Sequence, residues 1–306
     1  MDVIEQAATC IRQGKLIIFP TETVYGLGAD ATNGTAVRAI YAAKGRPSFN
    51  PLIAHVTGVD MARRYADVPE QAVLLMKTYW PGPLTLVLNR KTGCQIASEV
   101  SAGGKTVAMR CPNHPIALEL IQKADLPIAA PSANPFGKLS PTCVEHLVPS
   151  ILEKTACVLN GGPCQVGVES TVVLMTEEIP VILRPGYITK EQIEETLSCP
   201  VRLSFTDETA PKSPGQLLSH YAPRKPLRIN ADKPKDDEML LSFGPVKGYL
   251  NLSPTGDVKE AAHNLFNYLK RLDEDPKVRK IAVSPIPTTG VGMAINDRLF
   301  RASTKK

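Results

Sequence analysis

Polar, turn-rich sequence gathers at five places along this chain, each beside a short apolar run, and the residue types suit the handling of anions. Between Phe19 and Gly28, the side chains of Thr21, Glu22, Thr23 and Tyr25 put two hydroxyls, a carboxylate and a phenol next to glycines that let a ligand approach the backbone. A capped β-turn would use the same residues. At Lys44-Gly45-Arg46-Pro47, followed by Asn50 and His55, two cations separated by one glycine form a clamp for a polyphosphate: the lysine is a point charge and the arginine a planar fork. The same stretch also reads as a helix end, with Lys44 at the negative pole, Gly45 left-handed and Pro47 as the stop. His55, at a strand end, fits a packed histidine as well as a ligand. In the third segment, running from Thr106 through Arg110 to His114, an arginine ends an apolar strand, and a charge there needs an internal acid or an anionic ligand. The fourth, from Ala130 through Ser132, Asn134, Gly137 and Ser140 to Thr142, is rich in hydroxyls and turn formers. The fifth joins Gly167, Glu169, Ser170 and Thr171, before one strand, to Arg184 and Gly186 after the next. Polar segments that follow strands are where open α/β sheets collect their ligand sites.

Two better-known nucleotide patterns are imitated and rejected. Gly26, Gly28 and Ala31 match a dinucleotide-binding spacing, but the segment does not join a strand directly to a helix and no acid follows about 20 positions on. Gly104-Lys105-Thr106 looks like the end of a phosphate-binding loop, yet Glu99 stands where its first glycine belongs and a strand follows where a helix is required. Both sets of glycines read as turn residues.

The elements that must position these segments alternate. Strands are predicted over 16–19, 52–56, 84–88, 106–109, 127–130, 157–159, 171–174 and 180–183, and helices over 3–12, 35–43, 70–78, 115–123, 142–148 and 189–197. Two of the helices start with capping boxes, Thr142 with Glu145 and Thr189 with Gln192. This predicts an α/β domain over 1–203 with one broad sheet. From 204 to 226 periodicity lapses and prolines stand at 211, 214 and 223, which reads as an extended linker. A small α/β domain follows over 227–306, with strands at 227–229, 239–243, 248–250 and 280–283, a helix at 258–272 capped by Asp257, and a last helix near 294–302.

Composition narrows the class. A chain of 306 residues, 43% hydrophobic and 21% charged, buries a sizeable core. No run approaches the ~20 apolar residues of a membrane span, and the acidic, amphipathic start is unlike a signal peptide, which predicts a cytoplasmic protein. Seven cysteines without a CxxC pair fit neither a disulfide framework nor a zinc site. The net charge of +5 favours anionic partners only weakly.

In this order, with Ser213-Pro214-Gly215 and Ser219-His220-Tyr221-Ala222-Pro223 in the linker, the five segments resemble the threonylcarbamoyl-AMP synthase family with its YrdC-type catalytic domain. The likeness spans 10–225, and the segment from Gly292 through Asn296 and Asp297 to Arg298 is similar to the longer, two-domain branch. The resemblance implies a twisted, open mixed sheet with flanking helices, a small C-terminal Rossmann-like domain, and a linker lying over the active site as a lid. It implies that Thr23, His55, Arg110, Ala130 and Ser170 line a threonine site, Arg110 facing the carboxylate. Lys44, Arg46, Asn50, Thr106, Ser132, Ser140, Arg184 and Tyr221 would hold ATP, with Lys44 and Arg46 carrying the catalysis. Two departures touch fine contacts: Phe136 where a serine is commoner and Gln216 where methionine is usual.

The reaction so implied is nucleotidyl transfer. Threonine and bicarbonate give an N-carboxylate that attacks the α-phosphorus of ATP, yielding threonylcarbamoyl-AMP and pyrophosphate for the threonylcarbamoyladenosine modification of tRNA. It asks for positioning and cations rather than a protein nucleophile. Magnesium would arrive with ATP, with Glu22 a candidate to assist it. The product would pass to a tRNA threonylcarbamoyl transferase complex, with weak direct tRNA contact. The alternatives are a non-catalytic RNA- or nucleotide-binding module, for which few aromatics speak, and a carbamoyl-adenylate-forming maturation enzyme, whose zinc-binding modules are missing here.

Overall fold

The computed structural model describes residues 2–204, 213–214 and 220–304. Most of the 204–226 linker, including Gly215, Gln216 and Ser219, lies outside the described residues.

In the first unit the chain runs α1 (Val3–Arg12), β1 (Ile17–Phe19), β2 (Gly26–Asp30), α2 (Gly34–Lys44), β3 (Ile53–His55), α3 (Val59–Tyr65), β4 (Ala66–Asp67), α4 (Glu70–Tyr79) and β5 (Leu84–Arg90). It continues through β6 (Thr106–Arg110), α5 (Pro115–Ala124), β7 (Ile128–Ala129), α6 (Pro149–Leu152), β8 (Cys157–Val158), β9 (Thr171–Leu174), β10 (Val181–Arg184), α7 (Lys190–Leu197) and β11 (Arg202–Leu203). The strands form one mixed sheet ordered β11-β10-β9-β5-β6-β3-β7-β2-β1-β8, with β4 on the far end of β5. The pairing β3 to β6 is parallel and β3 to β7 antiparallel, so Arg110 lies opposite His55 and Ile128 opposite it on the other side. The registers place Asp30, Ile128, His55 and Arg110 in one row across the sheet, with Phe19 paired to Gly26 at the opposite end of β2.

All eight predicted strands form, because runs such as Leu84–Leu88 are buried on both faces. Two expectations fail. Gly26 and Gly28, read as turn glycines, lie inside β2, paired with β1 on one side and β7 on the other. A Cβ on Gly28 would meet a Phe19 ring carbon at 2.7 Å and Ile128 Cγ2 at 2.9 Å, so close packing selects the glycine. The helix predicted over 142–148 shrinks to a single 3-10 turn at Val144–His146. Its capping box never closes, because Nδ1 of His146 takes the Thr142 backbone N–H at 3.2 Å. The box at Thr189 and Gln192 does form at the start of α7.

The second unit holds β12 (Leu227–Arg228), β13 (Glu238–Ser242), β14 (Leu250–Asn251), α8 (Val258–Glu274), β15 (Lys280–Val283) and α9 (Val291–Ser303). Its four strands, ordered β12-β15-β13-β14, are all parallel. Asp257 caps α8 by accepting from Lys259 and Glu260 N–H, as predicted. The two units interlock. Val166 and Val168 of the first pack into the core formed by Leu265, Leu269, Ile281, Ile295 and Leu299 of the second. Between them Gly167, at φ +80°, presses on α8: a Cβ there would fall 2.5 Å from the His263 carbonyl oxygen. Among the described residues no helix is long and apolar enough to cross a membrane.

Candidate functional site

One cavity of about 50 Å³ is walled by the β1–β2 loop, Gly26, side chains of β3, β6 and β10, the 130–132 segment, and His220 and Tyr221. Three buried arginines converge on it, Arg46, Arg110 and Arg184.

Arg110, at the end of β6, pairs with Glu22 at 2.7 Å, donates to Thr23 Oγ1 at 2.9 Å and reaches the Gly82 carbonyl at 3.3 Å. The sequence demanded an acid or an anion for this charge, and the acid is Glu22. Thr21 shapes the loop that presents both partners: its hydroxyl donates to the Val24 carbonyl at 2.7 Å and accepts from the N–H groups of Thr23 and Val24, a local side-chain turn. His55 sits beside Arg110 with Nδ1 3.3 Å from the Ile128 carbonyl oxygen and its ring edge-on to Phe19. Burial, reinforced by Arg110, pushes its pKa down to about 3, so it is a neutral wall of the cavity.

The Lys44–Arg46 segment follows α2 as the helix-end reading required, with Gly45 left-handed at φ 63°. Lys44 does not line the cavity: its ammonium donates to the Ser132 carbonyl at 2.5 Å and to that of Asn134, clamping the 132–134 segment. Arg46 faces the cavity, held by the Asn50 side-chain oxygen at 2.6 Å and the Pro51 carbonyl at 2.8 Å, with its guanidinium 6.0 Å from the Phe136 ring centre. Burial lowers the pKa of Lys44 well below its usual value and that of Arg46 to about 10, the mark of cations gathered without an acid between them.

Arg184, at the end of β10, donates to the Ser170 backbone oxygen and hydroxyl, both at 3.0 Å, and to the Pro214 carbonyl at 3.4 Å. Ser170 is in turn hydrogen-bonded to Thr85 at 2.7 Å. Ser140 donates to Glu169 at 2.6 Å, and Glu169 reaches the cavity wall. Tyr221 adopts φ 62°, a conformation costly for a bulky residue, and its ring lies between Phe266 at 5.5 Å and His220 at 4.1 Å.

Of the residues singled out in the sequence, Thr23, Arg46, His55, Arg110, Ala130, Ser132, Arg184 and Tyr221 line the cavity. Lys44, Asn50, Ser140 and Ser170 stand one layer back, each bonded to a residue or backbone group in the wall. Thr106 is separate. It is absent from the cavity lining: it opens β6 while Arg110 ends it, about 13 Å along the strand from Arg110. The sequence put Thr21, Glu169, Pro214 and Arg298 in candidate segments without assigning any of them a ligand; the first three line the cavity, and Arg298 touches Glu169. The signal for Glu169 was available: an acid beside Ser170, entering an apolar strand, needs a cation.

The arrangement suits a small anionic or zwitterionic ligand at Arg110 and a polyanion at Arg46 and Arg184. Among the described residues no group of three or more His, Cys, Asp or Glu side chains converges as a metal cage would.

Residues 9–186 match the Sua5/YciO/YrdC family model, described as telomere recombination, and residues 188–304 match the threonylcarbamoyl-AMP synthase C-terminal domain. A threonylcarbamoyl-AMP synthase of Bacillus subtilis is 43% identical over 98% of this chain and 92% of its own length. The crystal structure of Pyrococcus abyssi Sua5 complexed with L-threonine superposes with a TM-score of 0.89 at 38% identity, covering 98% of this chain and 94% of that one. Full-length HypF in a phosphate- and nucleotide-bound form shares the fold alone, at 20% identity and a TM-score of 0.53 over 60% of this chain and 24% of that one.

Proposed function

Since this chain belongs to the threonylcarbamoyl-AMP synthase family over nearly its whole length, we propose that it condenses L-threonine, bicarbonate and ATP into threonylcarbamoyl-AMP and pyrophosphate, as a cytoplasmic enzyme serving tRNA modification. The observation that carries the reading is the convergence of Arg46, Arg110 and Arg184 on one cavity, with both nearby acids already committed, Glu22 to Arg110 and Glu169 to Arg298.

Threonine belongs at Arg110. Its carboxylate replaces Glu22 or joins it at the guanidinium, Thr23 is within reach of its polar groups, and Ala130 and neutral His55 bound its side chain. The triphosphate belongs between Arg46 and Arg184, whose charges spread over the phosphate oxygens as pyrophosphate departs. Lys44 orders the Ser132–Asn134 backbone, and Ser140, Ser170 and Asn50 fix the cations' aim. Thr106 is kept as an ATP contact only if the nucleotide extends well beyond the cavity.

Magnesium enters on the nucleotide, held by phosphate oxygens and water, and neutralises phosphate charge there. Glu22 is engaged with Arg110 and becomes available to it only if threonine displaces that pair. A cavity of about 50 Å³ holds a few waters, so His220 and Tyr221 must swing clear to admit ATP, in keeping with a lid. The product goes to a transferase acting on tRNA.

The test is to supply the purified protein with ATP, magnesium, bicarbonate and L-threonine, and to follow pyrophosphate with mass spectrometry of the adenylate. Release should require both threonine and bicarbonate and should fall about 100-fold or more in Lys44→Ala and Arg46→Ala. ATP binding without turnover would move the reading to a nucleotide- or RNA-binding module.

A further inference from the structure

The C-terminal unit reaches the cavity wall at two places: Phe266 and Ala302 share a hydrophobic cluster with Val24 and Tyr221, and Arg298 meets Glu169. Arg298, on α9, is fully buried; Nε donates to the Glu169 carboxylate at 3.0 Å and Nη2 to the Glu169 backbone oxygen at 3.3 Å. Nη1 donates to the Pro185 carbonyl at 2.5 Å and to Asp297 at 3.1 Å, and the guanidinium lies 5.7 Å from the centre of the Tyr221 ring. Glu169 and Tyr221 both wall the cavity, and the other Glu169 oxygen accepts the Ser140 hydroxyl.

Buried ion pairs of this kind are poor devices for stability, since apolar side chains of similar volume often serve as well. What the guanidinium does here is local. Glu169 faces a site built from cations, and with its charge uncompensated it would repel incoming phosphates or draw Arg184 onto itself. Burial on its own would raise the Glu169 pKa, yet Arg298 first and Arg184 second hold it below its ordinary value, so the carboxylate stays ionised and needs its partner.

We propose that Arg298 is a positioning residue for the nucleotide half of the reaction, holding Glu169 and Ser140 in place, leaving Arg184 free for phosphate, and fixing the plane of Tyr221. The C-terminal domain is then a component of the ATP site and not an appendage to it. This rests on the reading of the cavity as a threonylcarbamoyl-AMP synthase site.

The test compares full-length wild type with Arg298→Lys and Arg298→Gln. Lysine keeps the buried charge but lacks the planar fork that reaches Glu169, Pro185 and Asp297 together; glutamine loses the charge as well. With ATP and threonine varied separately, KM for ATP should rise roughly tenfold in Arg298→Lys and further in Arg298→Gln, while KM for threonine stays within about twofold of wild type. Melting temperatures are measured alongside. An unchanged KM for ATP in a folded variant overturns the proposal, as does a fall in kcat with both KM values intact, which is the mark of a smaller folded fraction. Loss of the cooperative transition in both variants also overturns it, in favour of a purely structural role. Wild-type protein that releases no threonine-dependent pyrophosphate overturns the underlying reading instead, in the same assay.

Discussion

His55 shows how far a residue's role depends on what surrounds it. The sequence offered packed histidine or ligand, and the structure makes it both a wall of the cavity and a buried neutral ring under Arg110. Its pKa in the fold, about 3, lies below the ordinary value near 6.5. Below pH ~6.5 the unfolded chain therefore binds a proton that the native state refuses, and stability is lost as pH falls from that point towards 3. His220 is lowered in the same direction, by burial and then by Arg46 and Lys44. Urea unfolding should accordingly show stability falling between pH 6 and 4, by up to about 1.4 kcal/mol per pH unit from His55. His55→Gln should flatten that slope, and a variant as steep as wild type would contradict the assignment. At this scale the sequence was informative about kinds of group and silent about their partners. That Arg110 must meet an anion followed from its place in an apolar strand; that the anion is Glu22, 88 positions earlier, depends on a loop geometry set by Thr21. Arg298 lay within a recognised segment, yet nothing local distinguishes a side chain aimed at Glu169 from a solvated arginine.

At the scale of elements, strands announced themselves where hydrophobicity was continuous and hid where it was not. β5 and β9 are legible as runs of leucine and valine. β2 reads Gly-Leu-Gly-Ala-Asp, with little strand propensity, and exists because β1 and β7 both need a partner and the Phe19 ring needs room over Gly28. Gly28→Ala should therefore cost about 1–3 kcal/mol through overpacking against Phe19 and Ile128, seen as a lower urea midpoint with an unchanged m-value. A neutral result would mean that Phe19 has space to retreat. The helix expected after Thr142 failed for a related reason. Its capping pattern was correct in sequence, but His146 occupies the N–H that a helix start would have offered to Glu145.

Across the whole molecule, the candidate site is assembled from distant parts of the chain: the 20–25 loop, side chains of three strands, His220 and Tyr221 in the linker, and, one layer out, a helix near the C-terminus. A chain ended after residue 204 retains Arg46, Arg110 and Arg184 but loses Tyr221, His220 and Arg298. Pyrophosphate release should fall in that truncation by about 100-fold or more; full activity would show that the first unit suffices. The lapse of periodicity after 203 is where the sequence suggests a division, whereas the contacts between the two sheets' units are not legible in it, because they are made by residues whose local sequence looks ordinary. Val166 and Val168 are the clearest instance, lying in the first unit by sequence and in the second by packing. A chimera that transplanted the C-terminal half alone would arrive with an open socket where those two valines belong. The smallest exchangeable module carries the 165–169 strip with it, and sequence drift in that strip and in α8 must keep step if hybrids between relatives are to assemble.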